Sequence, residues 1–160
     1  MSDSTTSKCS SCCGYAFAHL LLRLWVGMRL FMAGLDKFRW GNGPTVSFGL
    51  DNYAKKTGPL AKLMSDNSFM PEWACNAFAA TIGYVLVIVG IWVGIGIFTE
   101  CGLLAAGLVF LALGFGLASL PDDTEVVGNI GLSILIVAAA LVTAKAKNFS
   151  IDGFLARKKA

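Results

Sequence analysis

Charge is scarce in this 160-residue chain. Asp, Glu, Lys and Arg together make up 14% of it, against about 25% in an ordinary water-soluble domain. The chain has one histidine and four prolines. The lone histidine excludes a bis-histidine haem built by one chain and an H-E-x-x-H zinc site, and because it lies inside an apolar run no Ser/His/Asp arrangement is legible. No phosphate-binding glycine loop and no dinucleotide fingerprint occur, which argues against a self-contained ATPase or nicotinamide enzyme. The balance of 13 basic against 10 acidic residues gives +3, too mild for a nucleic-acid partner. The five cysteines, Cys9, Cys12, Cys13, Cys75 and Cys101, are odd in number, which argues against a simple disulfide framework.

What the chain has instead is apolar length. Hydrophobic residues make up 56% of it and the mean hydropathy is +0.67. The apolar residues gather into four runs, at 15–35, 77–98, 101–120 and 126–144. Each is about 20 residues long, enough for a helix to cross a hydrocarbon core of about 30 Å. Only a helix satisfies its own backbone across lipid at that length, and the alternation of a barrel strand is absent. The fold class expected is therefore all-α, an integral-membrane four-helix bundle with the lipid bilayer as its first partner.

The boundaries have local causes. Pro71 precedes the second run, and Pro121 ends the third. Asp122, Asp123 and Glu125 then suit the positive end of the fourth helix. Thr99 and Glu100 are nearly the whole link between runs two and three, which makes those helices antiparallel neighbours. Gly90 with Gly94, and Gly114 with Ala118, are small-xxx-small pairs where helices can approach. The long connection from Asp36 to Asn76 carries turn signals at Gly41–Pro44 and Gly58–Pro59. Leu60, Leu63 and Met64 share a helical face, predicting a short interfacial helix near Pro59–Ser65. Residues 1–14 read as a flexible Cys/Ser-rich tail and 145–160 as a basic one. Lys145, Lys147, Arg157, Lys158 and Lys159 against Asp152 place that end in the cytoplasm by the positive-inside rule. Four crossings then put the N-terminus there too.

The residues that could carry chemistry are few. Arg23 and Arg29 lie inside the first run, where an arginine costs about 2.5–3.5 kcal/mol to insert. His19 and Arg23 share a face, as do Arg29 and Asp36. Two roles are open to them. They could bind an anionic or quinone head group, or a partner subunit's carboxylate. They could instead pair within the bundle, Arg23 with Glu100 and Arg29 with Asp122, Asp123 or Asn129, or snorkel to an interface. Asp36, Lys37, Arg39 and Trp40 form a mixed-charge collar after the first run, either a water–lipid boundary or the rim of a site. Cys9 and Cys12 make a C-x-x-C, with Cys13 beside them, but no second ligand pair accompanies this weak metal or redox motif. No cofactor is expected on this chain alone, and a quinone is the candidate ligand.

The stretch LLLRLWVGMRLFMAGLDKF, with Arg23, Gly34 and Lys37, resembles the opening of the DoxX/DoxD family of small four-helix bacterial membrane proteins. The stretch GIWVGIGIFTECGLLAAGL resembles that family's junction between helices two and three. Two departures stand out. Glu100 occupies a place the family usually gives to a basic residue, and run two lacks the acidic residue many members carry. The resemblance implies a membrane subunit associated with redox enzymes, one branch being the partner of thiosulfate:quinone oxidoreductase. The expectation is thus an accessory, anchoring subunit of a quinone-linked complex in a bacterial inner membrane, alongside other membrane subunits. It would line a quinone site with Arg23, Arg29 and Trp25. The alternative is a subunit that binds substrate itself, with Arg29, Asp36 and Lys37 holding an anion such as thiosulfate. A small transporter ranks third, since runs two and three offer no polar path.

Overall fold

The computed structural model describes residues 4–41, 45–68, 70–118 and 126–146, with side-chain surroundings left out for 4–13, 126, 127 and 146. Helix α1 runs from Ser4 to Phe38. A two-residue antiparallel ladder follows, β1 (Arg39–Trp40) with β2 (Ser47–Phe48), pairing Arg39 with Phe48 and Trp40 with Ser47. Then come α2 (Leu50–Asn67), α3 (Glu72–Ile95) and α4 (Thr99–Ala118). A π-helical turn, Val126–Gly131, leads into α5 (Leu132–Val142), and a 3-10 turn follows at Ala144–Ala146.

The all-α membrane bundle expected from hydropathy is what forms. Residues 14–38 of α1, all of α3 and all of α4 are long and apolar enough to cross a membrane, and 128–142 is a shorter apolar helix. The first helix starts well before Tyr15, because nothing between Ser4 and Cys13 breaks it and extending an existing helix is cheap. The segment read as a flexible tail is therefore helical from Ser4 onward. The second helix begins at Glu72, directly after Pro71. It stops at Gly96, whose φ of 76° is the left-handed cap that glycine takes without strain. The reversal falls on Gly96–Phe98, and Thr99 and Glu100, read as the link, open α4 instead. Trp92 Nε1 donates to Ile97 O at 2.6 Å and ties this turn down.

The interfacial helix is longer than its local signal. It starts at Leu50, includes Pro59, and buries Asn52, Tyr53, Thr57, Ala61 and Met64 on one face. That face packs on α3 and α1. Phe38 stacks on Tyr53 with ring centroids 4.7 Å apart, and Tyr84 meets both rings at 5.2 and 5.0 Å. Tyr53 Oη donates to Ala79 O at 2.8 Å and accepts from Gly83 N–H at 3.1 Å. Burial pushes the Tyr53 hydroxyl above its usual 10.0, and the Gly83 hydrogen bond pulls against that.

Helices α1 and α3 meet backbone to backbone, antiparallel. A Cβ placed on Gly90 would stand 2.6 Å from Phe31 N, and one on Gly27 would stand 3.0 Å from Gly90 O. One on Gly34 would stand 2.9 Å from Val87 N. Gly27 and Gly34 are two turns apart, as are Gly83 and Gly90, so the close contact repeats along both helices. Beside this seam, Ala16, His19, Arg23, Val26 and Leu30 make a buried stripe spaced three and four residues apart on α1. Val26 and Leu30 join Leu86, Val93, Leu103, Ala106, Phe110, Val137 and Ala140 in the core.

Candidate functional site

The polar residues of α1 separate into two groups by the angle they make round the helix. His19 and Arg23, one turn apart, lie on the buried stripe and are 2% and 3% exposed. His19 Nδ1 lies 3.1 Å from Ala140 O and 3.2 Å from Thr143 Oγ1, at the far end of α5. Thr143 Oγ1 already donates its proton within α5, to Ala139 O at 3.0 Å or Ala140 O at 3.1 Å. Both neighbours of Nδ1 are thus acceptors, and the imidazole proton belongs on Nδ1. His19 is an interhelical tie between α1 and α5. Arg23 is enclosed on the same stripe and is engaged there. Neither residue lines the cleft described next. Trp25 faces outward and is half exposed.

Arg29, Asp36 and Lys37 sit further along α1 and share a cleft of about 410 Å³ with α4, the π turn and α5. Arg29 Nη2 donates to Asn129 Oδ1 at 3.1 Å, the Asn129 pairing being one of those open from the sequence. The other two candidates, Asp122 and Asp123, lie outside the described residues. Ser133 Oγ donates to Asn129 O at 2.6 Å. Asn129 belongs to the π turn, and such turns recur at functional positions. Apolar walls close the rest of the cleft: Met32 and Ala33 of α1, Leu86 of α3, and Phe110, Leu113 and Leu117 of α4.

Asp36 lines the cleft but its carboxylate is committed elsewhere. Lys56 Nζ of α2 lies 3.1 Å from Oδ2, and Arg39 Nε lies 3.5 Å from Oδ1. Both pairs are partly exposed, so each contributes at most about 1 kcal/mol. Their effect on the cleft is electrostatic bookkeeping of sign: Asp36 is neutralised from outside, leaving the positive charge of Arg29 and Lys37 within. Glu100, in the first turn of α4, is exposed and does not line the cleft. The side chains of Cys9, Cys12 and Cys13 fall outside the described residues. Cys75 is a buried free thiol and Cys101 an exposed one, and no metal-ligating cluster occurs among the described residues.

The sequence pattern of the DoxD family, described as the TQO small subunit DoxD, matches residues 19–160. The chain belongs to the DoxD family. That family supplies a membrane subunit of complexes of the thiosulfate:quinone oxidoreductase type. The match begins at His19 and so takes in every residue of the cleft, while the Cys9–Cys13 segment lies before it. No curated protein and no solved structure matches the chain. Within this DoxD-family chain, Asn129 and Ser133 are the site residues that charge alone does not reveal. Asn129 did carry a signal, as the only strongly polar residue in its apolar run.

Proposed function

We propose that this chain is the membrane subunit through which a thiosulfate:quinone oxidoreductase-type complex meets the quinone pool, with the α1–α4–α5 cleft receiving the quinone head group. The observation that carries this reading is the convergence of Arg29, Lys37 and Asn129 on one apolar-walled cleft of about 410 Å³. A quinone ring asks for apolar walls and for donors to its carbonyl oxygens, and the lining offers both. A small inorganic dianion would leave Met32, Leu86, Phe110 and Leu117 without a role. When bound, a quinone supplies two-electron acceptor chemistry. The chain's part is to hold fixed positive charge at Arg29 and Lys37 beside oxygens that become more negative on reduction. Preorganised charge is worth more in a water-poor site than in bulk water. Phe110, Leu113 and Leu117 give that site its apolar wall on the α4 side.

The anchoring role, the first expectation from the sequence, becomes the second reading. It is favoured by the outer faces of α3 and α4, uncharged beyond their first turns, where Ile88, Ile91, Leu104, Leu108 and Leu111 are exposed. Arg29→Gln and Lys37→Met, assembled into the complex in its native membrane, separate the two. A complex that stays whole but loses tenfold or more of its quinone reduction supports the cleft. A complex that falls apart supports anchoring, and one that stays whole with full turnover overturns the head-group reading. The membrane in this proposal is the bacterial inner membrane, with both termini on the cytoplasmic side as the basic tail demands.

A further inference from the structure

A second, smaller cavity of about 90 Å³ lies beneath α2. Leu60 and Met64 of α2, Phe78 and Ile82 of α3, and Gly116 of α4 enclose it. Lys37, Leu113 and Leu117 line both this cavity and the larger cleft, so the two lie side by side. We propose that the two cavities are one head-and-tail site, and that the arm under α2 takes the first aliphatic segment of the tail attached to the head group in the cleft. This rests on the quinone reading above.

Size fixes the direction. A cavity of about 150 Å³ is what an apolar core needs to hold a benzene ring. The arm is smaller than that and suits an aliphatic chain better than a ring. The larger cleft has room for the ring and holds the donors. Lining chemistry agrees, because apart from Lys37 every residue of the arm is apolar. Lysine presents a methylene stem to apolar neighbours while its charged end lies elsewhere. Gly116 is where the arm depends on a missing side chain. A Cβ there would stand 3.3 Å from Met64 Cε and 3.3 Å from Phe78 Cε1. A larger side chain at 116 therefore fills the arm and does not reach Arg29 or Asn129.

The test uses the full chain in lipid nanodiscs and two quinone probes with the same head, one tailless and one carrying two isoprene units. Wild type is expected to bind the tailed probe at least tenfold more tightly. Gly116→Leu, or Leu60→Phe filling the arm from α2, is expected to abolish that advantage and leave the tailless affinity unchanged. Equal losses for both probes, or no change for either, overturn the arm and leave the cleft standing. Failure of the tailless probe to bind wild type overturns the cleft itself, and the arm with it. A tail-end diazirine on the longer probe gives a readout in the unmutated chain. Labelling at Leu60, Met64 or Gly116 supports the arm. Labelling at lipid-facing Leu104, Leu108 or Leu135 overturns it, as does equal labelling of the arm by a phospholipid with a diazirine acyl chain.

Discussion

At the scale of single residues, the neutral side chains decide what the charged ones can do. Asn129 orients the Arg29 guanidinium through one hydrogen bond across the cleft. A hydrogen bond to a charged group is worth about 1.5–3 kcal/mol. Asn129→Leu is therefore expected to weaken binding of a tailless quinone about tenfold while the chain stays folded. Affinity titration beside a thermal melt checks both halves. Tyr53 gives a second prediction. Its hydroxyl pKa is raised by burial. A raised folded-state pKa means that its contribution to holding α2 is complete below pH 10 and is lost as pH rises through the folded value. Protection of the α2 amides relative to the intrinsic, base-catalysed exchange rate should fall above pH 10. In Tyr53→Phe exchange should be faster at neutral pH, because Ala79 O and Gly83 N–H lose their partner, and it should lack the alkaline step.

At the scale of elements, glycine placement governs which helices touch. The bare backbones of Gly27 and Gly90 leave no room for a methyl group, since the obstructing atoms are themselves backbone. Gly90→Ala should cost about 1–3 kcal/mol, the usual range for overpacking, and lower the melting temperature in detergent. Gly94 belongs to the same small-xxx-small pair, yet a Cβ there meets nothing within 4 Å. Gly94→Ala should be neutral or stabilising by up to about 1 kcal/mol, because alanine is the better helix former. Similar losses from both substitutions would refute the seam. The sequence motif thus located the contact but not which glycine carries it. That depends on the partner helix. In the same way hydropathy located four apolar runs, but not that the fourth opens as a π turn and continues as the short α5. The α2 helix was underestimated too. Gly58 and Pro59 read locally as a turn, yet both lie inside the helix, and its packed face also buries the polar Asn52 and Thr57.

At the scale of the whole molecule, α1 carries opposite business at its two ends. His19 meets Thr143 near the close of α5, and Phe38 meets Tyr53 of α2. Residue 145 and α2 therefore lie at opposite ends of the bundle. In an otherwise cysteine-free chain, Asp51→Cys should react with an impermeant maleimide from outside intact cells. Lys145→Cys should react only after the inner membrane is permeabilised. Labelling of both positions from one side would break the transmembrane reading of the bundle, and the reverse pattern would invert its orientation. The same geometry puts the cleft and its arm at the α2 end, half a helix away from the His19–Thr143 tie. His19 was a reasonable site candidate from its chemistry, but its tertiary position makes it a structural tie.

The amino-acid sequence by itself determined the class of protein and the family, because each rests on local properties. Mean hydropathy over about 20 residues is enough to require a helix in lipid, and short motifs around Arg23, Gly34 and Lys37 carry the family. Only the tertiary structure decided which polar residues work together. Arg29 and Asn129 are a hundred residues apart, and Lys37 and Gly116 line one cavity from different helices. Such meetings depend on the close approach of α1 to α3 and on the packing of α4 and α5 beside them. Those are set by packing between distant segments, which no local window of the sequence contains.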